Sequence, residues 1–343
     1  MLSLLTKGPT LPHNIGYDEK KSKHEVIDEK LMKEGISYFH QNFFSLFVCM
    51  LTGLLSLMYI SSIATVLHLT KNSSSPTLSF KRYLSTLQHT LRWYQGHHSL
   101  QDSLVIVRAK HNHAARMSNS ITQYDMVLTQ WAFIGPALLF PRKLGISQSS
   151  AEEISGLVYI MYLVGKYLGI QEDLNICADG VETAVEYSDL ILKEIISKEY
   201  NRETSSGICK DMARHLLDGV NILNPFIDQT AFHFWVRRLL TNQPPGEDDM
   251  EGLSKFLYRV QVLVLECLMH TSVLGMVIRY SANNLMKLNI FLANEWADYI
   301  VDNINSSKPS SALGWLEPFF AIPVFTLVSG FGMFGRKLKS LLF

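Results

Sequence analysis

The sequence predicts an all-α protein with a single large helical domain. Three observations carry that reading. Apolar residues recur at helical spacing through most of the chain, and no stretch of any length alternates with the period of a strand. There is no repeat and no glycine-rich phosphate loop. The 343 residues are 47% hydrophobic and only 18% charged, enough apolar material for a sizeable core. The organisation read from these patterns is a polar N-terminal arm (1–29), a helical domain (30–300) and an apolar segment with a basic tail (301–343).

The elements follow in order. Residues 1–17 contain Gly8, Pro9, Pro12 and Gly16 and read as an extended arm. The opening apolar run is too short for a signal peptide. Residues 18–34 are strongly charged and start a solvated helix. From Gly35 to Leu69 there is no Lys, Arg, Asp or Glu. Phe43 to Leu69 is long enough to span a bilayer, which takes about 20 apolar residues. It also carries Ser45, Thr52, Gly53, Ser56, Ser61, Ser62 and Thr65, which suit close helix packing. A buried core hairpin and a transmembrane span both remain open on this evidence.

Lys71 to Thr77 is a loop by composition. A helix follows from Phe80 to Tyr94. It places Arg82 and Thr86 on one face, with His89 and Trp93 continuing it. A turn at Gly96-His-His-Ser leads into a helix over Ser103 to Ser118. On a helical wheel Leu104, Arg108, His111 and Ala115 form one stripe. That stripe offers a basic group, an imidazole and a methyl-sized gap, a face on which a flat anionic ligand such as haem fits. Ser120-Ile-Thr-Gln-Tyr-Asp125 starts the next helix, and Pro136 and Pro141 are expected to disrupt it. Ser149-Ser-Ala-Glu-Glu has the form of an N-cap with an acidic first turn. It opens an apolar helix, Ile154 to Leu168, closed by Gly169. An acidic amphipathic helix runs from Val181 to Lys198. Gln243-Pro-Pro-Gly is a loop, and Val260 to Ile278 is apolar but interrupted by Glu266 and His270. Residues 318–335 carry no formal charge and are followed by Arg336, Lys337 and Lys339, a pattern suited to a membrane surface. Pro318 and Pro323 weaken it as one straight span.

Several function classes drop out. Lys plus Arg and Asp plus Glu balance at 31 each, so nothing argues for nucleic acid as a partner. Cys49, Cys177, Cys209 and Cys267 form no CxxC pair and read as buried thiols. A di-iron centre needs Glu-x-x-His pairs, and Glu266-Cys-Leu-Met-His270 has the wrong spacing.

The ordered motifs resemble a family: the haem-dependent rubber oxygenases (latex-clearing proteins) together with the fungal ER-bound oxygenase of mycophenolic acid biosynthesis. The style is closest to the insect-like members. The residues that carry the resemblance are Arg82-Tyr-Leu-Ser-Thr86, Val107-Arg108-Ala-Lys-His111, Arg116, Thr122-Gln-Tyr-Asp-Met126, Thr129-Gln130 and Phe133. They continue with Leu144-Gly145, Tyr162-Leu-Val-Gly165 and Leu168-Gly-Ile170. The resemblance covers residues 30–200. It implies a haem b buried among helices, with His111 as the iron ligand. It implies Arg82 and Thr86 on the other side of the haem. The family's lysine there is replaced, because Ser85 precedes the matching threonine.

Each residue also has a plainer reading. A neutral His111 imidazole can ligate iron, and Ala114 and Ala115 leave room for a macrocycle; it can equally bond a helix neighbour. His113, two residues on, points away and takes the role only if the register shifts. Arg82 and Thr86 can hold bound oxygen or developing charge, or be a surface arginine and a packed threonine. Arg108 and Arg116 can bind propionates or form solvated ion pairs. Asp125 and Gln123 can orient His111 or cap their helix.

The expected function is O2-dependent oxidation or double-bond cleavage of an apolar isoprenoid or lipid substrate by a haem b oxidoreductase. The expected location is intracellular, at the endoplasmic reticulum membrane. The alternative is a non-catalytic, membrane-associated binding or structural protein on the same scaffold.

Overall fold

Among the described residues every regular element is a helix, and the one strand-like contact is an isolated bridge between Pro12 and Thr122. The structure is a computed structural model that describes residues 2–18, 26–118, 120–201, 206–224, 227–243, 250 and 252–306. The uncharged stretch 318–335 and its basic exit lie outside the described residues.

In chain order the helices are α1 (Leu2–Thr6), α2 (Glu29–Gln41), α3 (Phe43–Leu57), α4 (Ser61–Leu69), α5 (Pro76–Trp93), α6 (His97–Ser118), α7 (Gln123–Leu139) and α8 (Ala151–Leu168). They continue as α9 (Gly180–Ile191), α10 (Gly207–Leu223), α11 (Gln229–Thr241), α12 (Gly252–Val262), α13 (Val273–Glu295) and α14 (Ala297–Ser306). Helix α9 runs on through a π-helical turn, Leu192–Ile196, into Ser197–Tyr200.

Local chemistry sets the helix ends. Ser75 opens α5 by accepting a hydrogen bond from Leu78 N. Thr122 and Ser150 open α7 and α8 through full capping boxes with Asp125 and Glu153. Gly169 closes α8 in the left-handed region, at φ 95°.

The apolar stretch from Phe43 to Leu69 is a pair of helices, of which the first lies within the protein. It breaks at Met58–Ile60 into α3 and α4, and nearly every residue of α3 is buried. Two of its hydroxyls are bonded within the helix: Thr52 donates to Val48 O at 2.8 Å and Ser56 to Gly53 O at 2.6 Å. No single helix among the described residues is long and apolar enough to cross a membrane. Two pairs pass by composition when joined, α2 with α3 and Gly252–His270 with α13, but they are bent by 89° and 120°.

Two expectations about the chain's course change. Pro136 does not end its helix, since α7 continues to Leu139. A proline cannot donate to the carbonyl four residues earlier, which leaves Ala132 O without its helical partner. That carbonyl lies where Gly53 of α3 crosses, so close that a Cβ at position 53 would collide with it. The arm expected to be extended over residues 1–17 instead opens with α1 and a 3-10 turn at Gly8–Thr10, and it packs on the rest of the protein. Leu4 is buried, and Gly8 packs on Tyr124 at the start of α7.

A second close crossing, Gly35 of α2 against Gly156 of α8, is equally intolerant of a side chain. The cysteine expectation holds for Cys49, Cys177 and Cys209, whereas Cys267 is exposed.

Gly53→Leu should force α3 and α7 apart and lower the unfolding free energy by about 1–3 kcal/mol or more. Urea unfolding followed by circular dichroism would measure it, and an unchanged midpoint would contradict the crossing.

Candidate functional site

A three-residue gap between Trp93 and His97 makes α5 and α6 neighbours. The helix starts at His97, so the expected turn is confined to Gly96, whose φ of 102° suits glycine. Near this turn the two helices are pinned by His89 Nδ1 and Ser103 Oγ, 2.9 Å apart. Further along they enclose a cavity of about 810 Å3, closed by α3, α4, α7 and α8. That volume falls within the range of about 300–1,000 Å3 typical of small-molecule sites.

The cavity has an apolar body and a cationic, imidazole-rich side. Leu54, Leu57, Val66, Phe133, Met161 and Leu168 line the first; Arg82, Lys110, His89, His111 and His113 line the second. Asp125 is its one carboxylate among the described residues.

His111 reaches the cavity and its Nδ1 is buried with no hydrogen-bond partner among the described residues. Burial pushes its pKa down to about 4, with further repulsion from His13, Arg82 and Lys110. The ring is therefore neutral at pH 7, the form that donates a lone pair to a metal. His13 sits beside this helix through Nε2 and Asn112 Oδ1 at 2.7 Å.

Arg82 and Thr86 line the same cavity, as the helical spacing requires. The Thr86 hydroxyl is spent on Arg82 O at 3.1 Å. Among the described residues the Arg82 guanidinium makes one long contact, from Nη1 to Ser73 Oγ at 3.4 Å. Burial pulls the pKa of Arg82 below the ordinary arginine value.

The stripe read from the helical wheel is rotated in the fold. Arg108 and Ala115 do not line the cavity; Val107, Lys110, His111 and Ala114 do. Arg108 instead donates to Tyr167 O at 2.8 Å and stacks 3.4 Å above the Tyr17 ring. Arg116 is exposed in the last turn of α6 and is also absent from the lining. Neither arginine is placed to hold a ligand in the cavity. His113, expected to point away from His111, also reaches it, because the cavity wraps a wide arc of the helix.

Asp125 lines the cavity but is committed elsewhere. Oδ2 accepts from Thr122 N and Thr122 Oγ1, both at 2.9 Å, and Oδ1 accepts from Ser62 Oγ at 2.6 Å. It caps α7 and ties it to α4 rather than orienting His111. Gln123 likewise serves the fold: Nε2 donates to His13 O at 2.7 Å and Gly169 O at 2.8 Å.

Lys110 escaped sequence reasoning as a site residue. Its Nζ donates to Ser85 Oγ at 3.0 Å and to His89 Nε2 at 3.1 Å. An ammonium only donates, so His89 Nε2 is the acceptor and Nδ1 carries the proton toward Ser103. Ser85 stands where the resemblance led one to look for a lysine; α6 brings an ammonium to that hydroxyl from another position. The only signal in the sequence was adjacency to His111.

Among the described residues no group of three or more His, Cys, Asp or Glu side chains is arranged to hold a bare metal ion. No protein-family model, curated protein or solved structure matches this chain.

Two outcomes follow from this geometry. Asp125→Ala should cost about 1–2 kcal/mol in thermal or denaturant unfolding, through loss of the cap and the Ser62 bond. His111 binds fewer protons folded than unfolded between its folded value near 4 and the ordinary 6.5. Its contribution to stability is thus intact above pH 6.5 and lost as pH falls toward 4, on the order of 3 kcal/mol at most. His111→Gln should flatten that limb of a melting-temperature series; an unchanged profile would contradict a depressed pKa.

Proposed function

We propose that this chain is a haem b-dependent oxygenase acting with O2 on an unsaturated apolar isoprenoid or lipid. The observation that carries the reading is the His111 ring, neutral and with an orphaned Nδ1, facing a ligand-sized apolar cavity that Arg82 and Thr86 also line. The resemblance of the ordered motifs around Arg82, His111 and Thr122–Phe133 supports it.

The residues present suit such a group. His111 would hold the iron through a ring nitrogen, and the small Ala114 leaves room beside it. When bound, haem would supply oxygen binding and electron transfer. The chain supplies the rest. Arg82 has N–H groups without a partner among the described residues, which suit developing negative charge. Thr86, its proton engaged with Arg82 O, offers only lone pairs. Lys110 holds a proton on Nζ at the Ser85–His89 side. The leucines, Phe133 and Met161 exclude water from an apolar chain. Location at the endoplasmic reticulum membrane belongs to the same proposal; exposed Val273, Met276, Val277 and Tyr280 on α13 support contact with lipid.

A second reading, a non-catalytic lipid-binding protein on the same scaffold, draws on the Lys110 bridge. It closes α5 onto α6 with protein groups alone.

Purified protein incubated with haemin should show a Soret band at one haem per chain, and His111→Ala should abolish it. Arg82→Ala should retain the band but lose about 10²-fold or more of O2 uptake with a long-chain isoprenoid. Absence of any haem would sink the first reading; stoichiometric haem without turnover would favour the second.

A further inference from the structure

The cavity holds a charge imbalance that the proposed oxidation does not by itself explain. Arg82 and Lys110 face it from opposite helices, close enough for each to feel the other's charge. Neither forms an ion pair among the described residues. Arg82 touches only the Ser73 hydroxyl, and Lys110 only Ser85 and His89. His111 and His89 add no negative charge, and Asp125 is turned toward Thr122 and Ser62. A lysine on the same wall, Lys81, is by contrast paired with Asp298 at 3.1 Å.

A buried guanidinium without a counter-charge is costly, and Arg82 is in that position; Lys110, exposed at the cavity's edge, keeps its hydration and adds a second positive charge. A purely hydrocarbon ligand would leave that cost in place and would desolvate both groups further. The remainder of the wall, from Leu54 through Met161 to Leu168, is matched to a long apolar chain.

We infer that the cavity's substrate is an amphiphile: a long apolar chain ending in an oxyanion, a carboxylate or a phosphate monoester, whose head seats between Arg82 and Lys110. The planar guanidinium accepts two oxygens of such a head in parallel, and the ammonium adds a point charge. Lys110 already lies beside a hydroxyl and an imidazole at the cavity's edge, so the head is held there while the chain runs inward over Phe133 and Met161. This inference rests on the proposed function only in taking the cavity as the ligand chamber. It replaces a neutral isoprenoid with an acidic one.

The test is calorimetric titration of the full chain with oleate, oleyl phosphate and oleyl alcohol, before and after haem loading. At least one oxyanion should bind tenfold or more tightly than the alcohol, and added salt should weaken it. The better of the two identifies the head. Lys110→Gln, an exposed position whose change leaves the core intact, should equalise acid and alcohol, as should Arg82→Gln. Equal binding of all three ligands by the unaltered protein would overturn the inference, and so would an acid preference that survives both substitutions. Loss of that preference on haem loading would show that the cofactor's own carboxylates take the cations, overturning the inference while leaving the haem reading intact. Oxyanion binding without a Soret band would do the reverse.

Discussion

The buried amide of Gln123 is the knot on which the arrangement around the cavity depends. One side chain reaches Pro12 O, His13 O and Gly169 O, and its own carbonyl accepts from Gln171 N. It thereby fixes the N-terminal arm, the start of α7 and the end of α8 to one another. Buried backbone groups must be bonded somewhere, and here a single amide serves groups from three segments. With that knot in place, Asp125, Thr129 and Phe133 face the cavity from α7, and His13 is set against α6 through Asn112.

The helices that enclose the cavity are held apart by the same means that bring others together. Glycines let α2 meet α8 and α3 meet α7 at backbone distance. At Gly165 the absent side chain makes room for the Gln130 and Asn175 amides, which bond each other at 2.8 Å inside the core. Between α5 and α6 the pattern differs: His89 and Ser103 join them near the turn, and Lys110 bridges them further on. Polar side chains span a gap that apolar ones would have closed. The chamber is consequently a designed-in space with an electrostatic side, and the neutral His111 ring and the uncompensated Arg82 are two consequences of burial beside it.

Much of the fold was legible in the residues themselves. Thr122 with Asp125, Ser150 with Glu153, and Gly169 mark helix ends by local chemistry, and each appears where the spacing puts it. The Arg82–Thr86 face was equally legible, because four residues make one turn. The face of α6 was not. Position on a wheel says which residues share a side, but only neighbours say which side is inside. Tyr17 and Tyr167 claim Arg108, and that rotates Lys110 rather than Arg108 toward the cavity.

The sequence alone determined that this is a chain of helices and that Arg82 and Thr86 share one helix face, since periodicity and capping act over a few residues. Tertiary structure decided the rest. It buried Phe43 to Leu57 inside the protein, let α7 run through Pro136 by aiming the freed Ala132 carbonyl at Gly53, and assigned Asp125 to Thr122 and Ser62. It also carried Lys110 to Ser85 across two helices. Each of these depends on which distant group arrives within a few ångströms, a distance that no local pattern encodes.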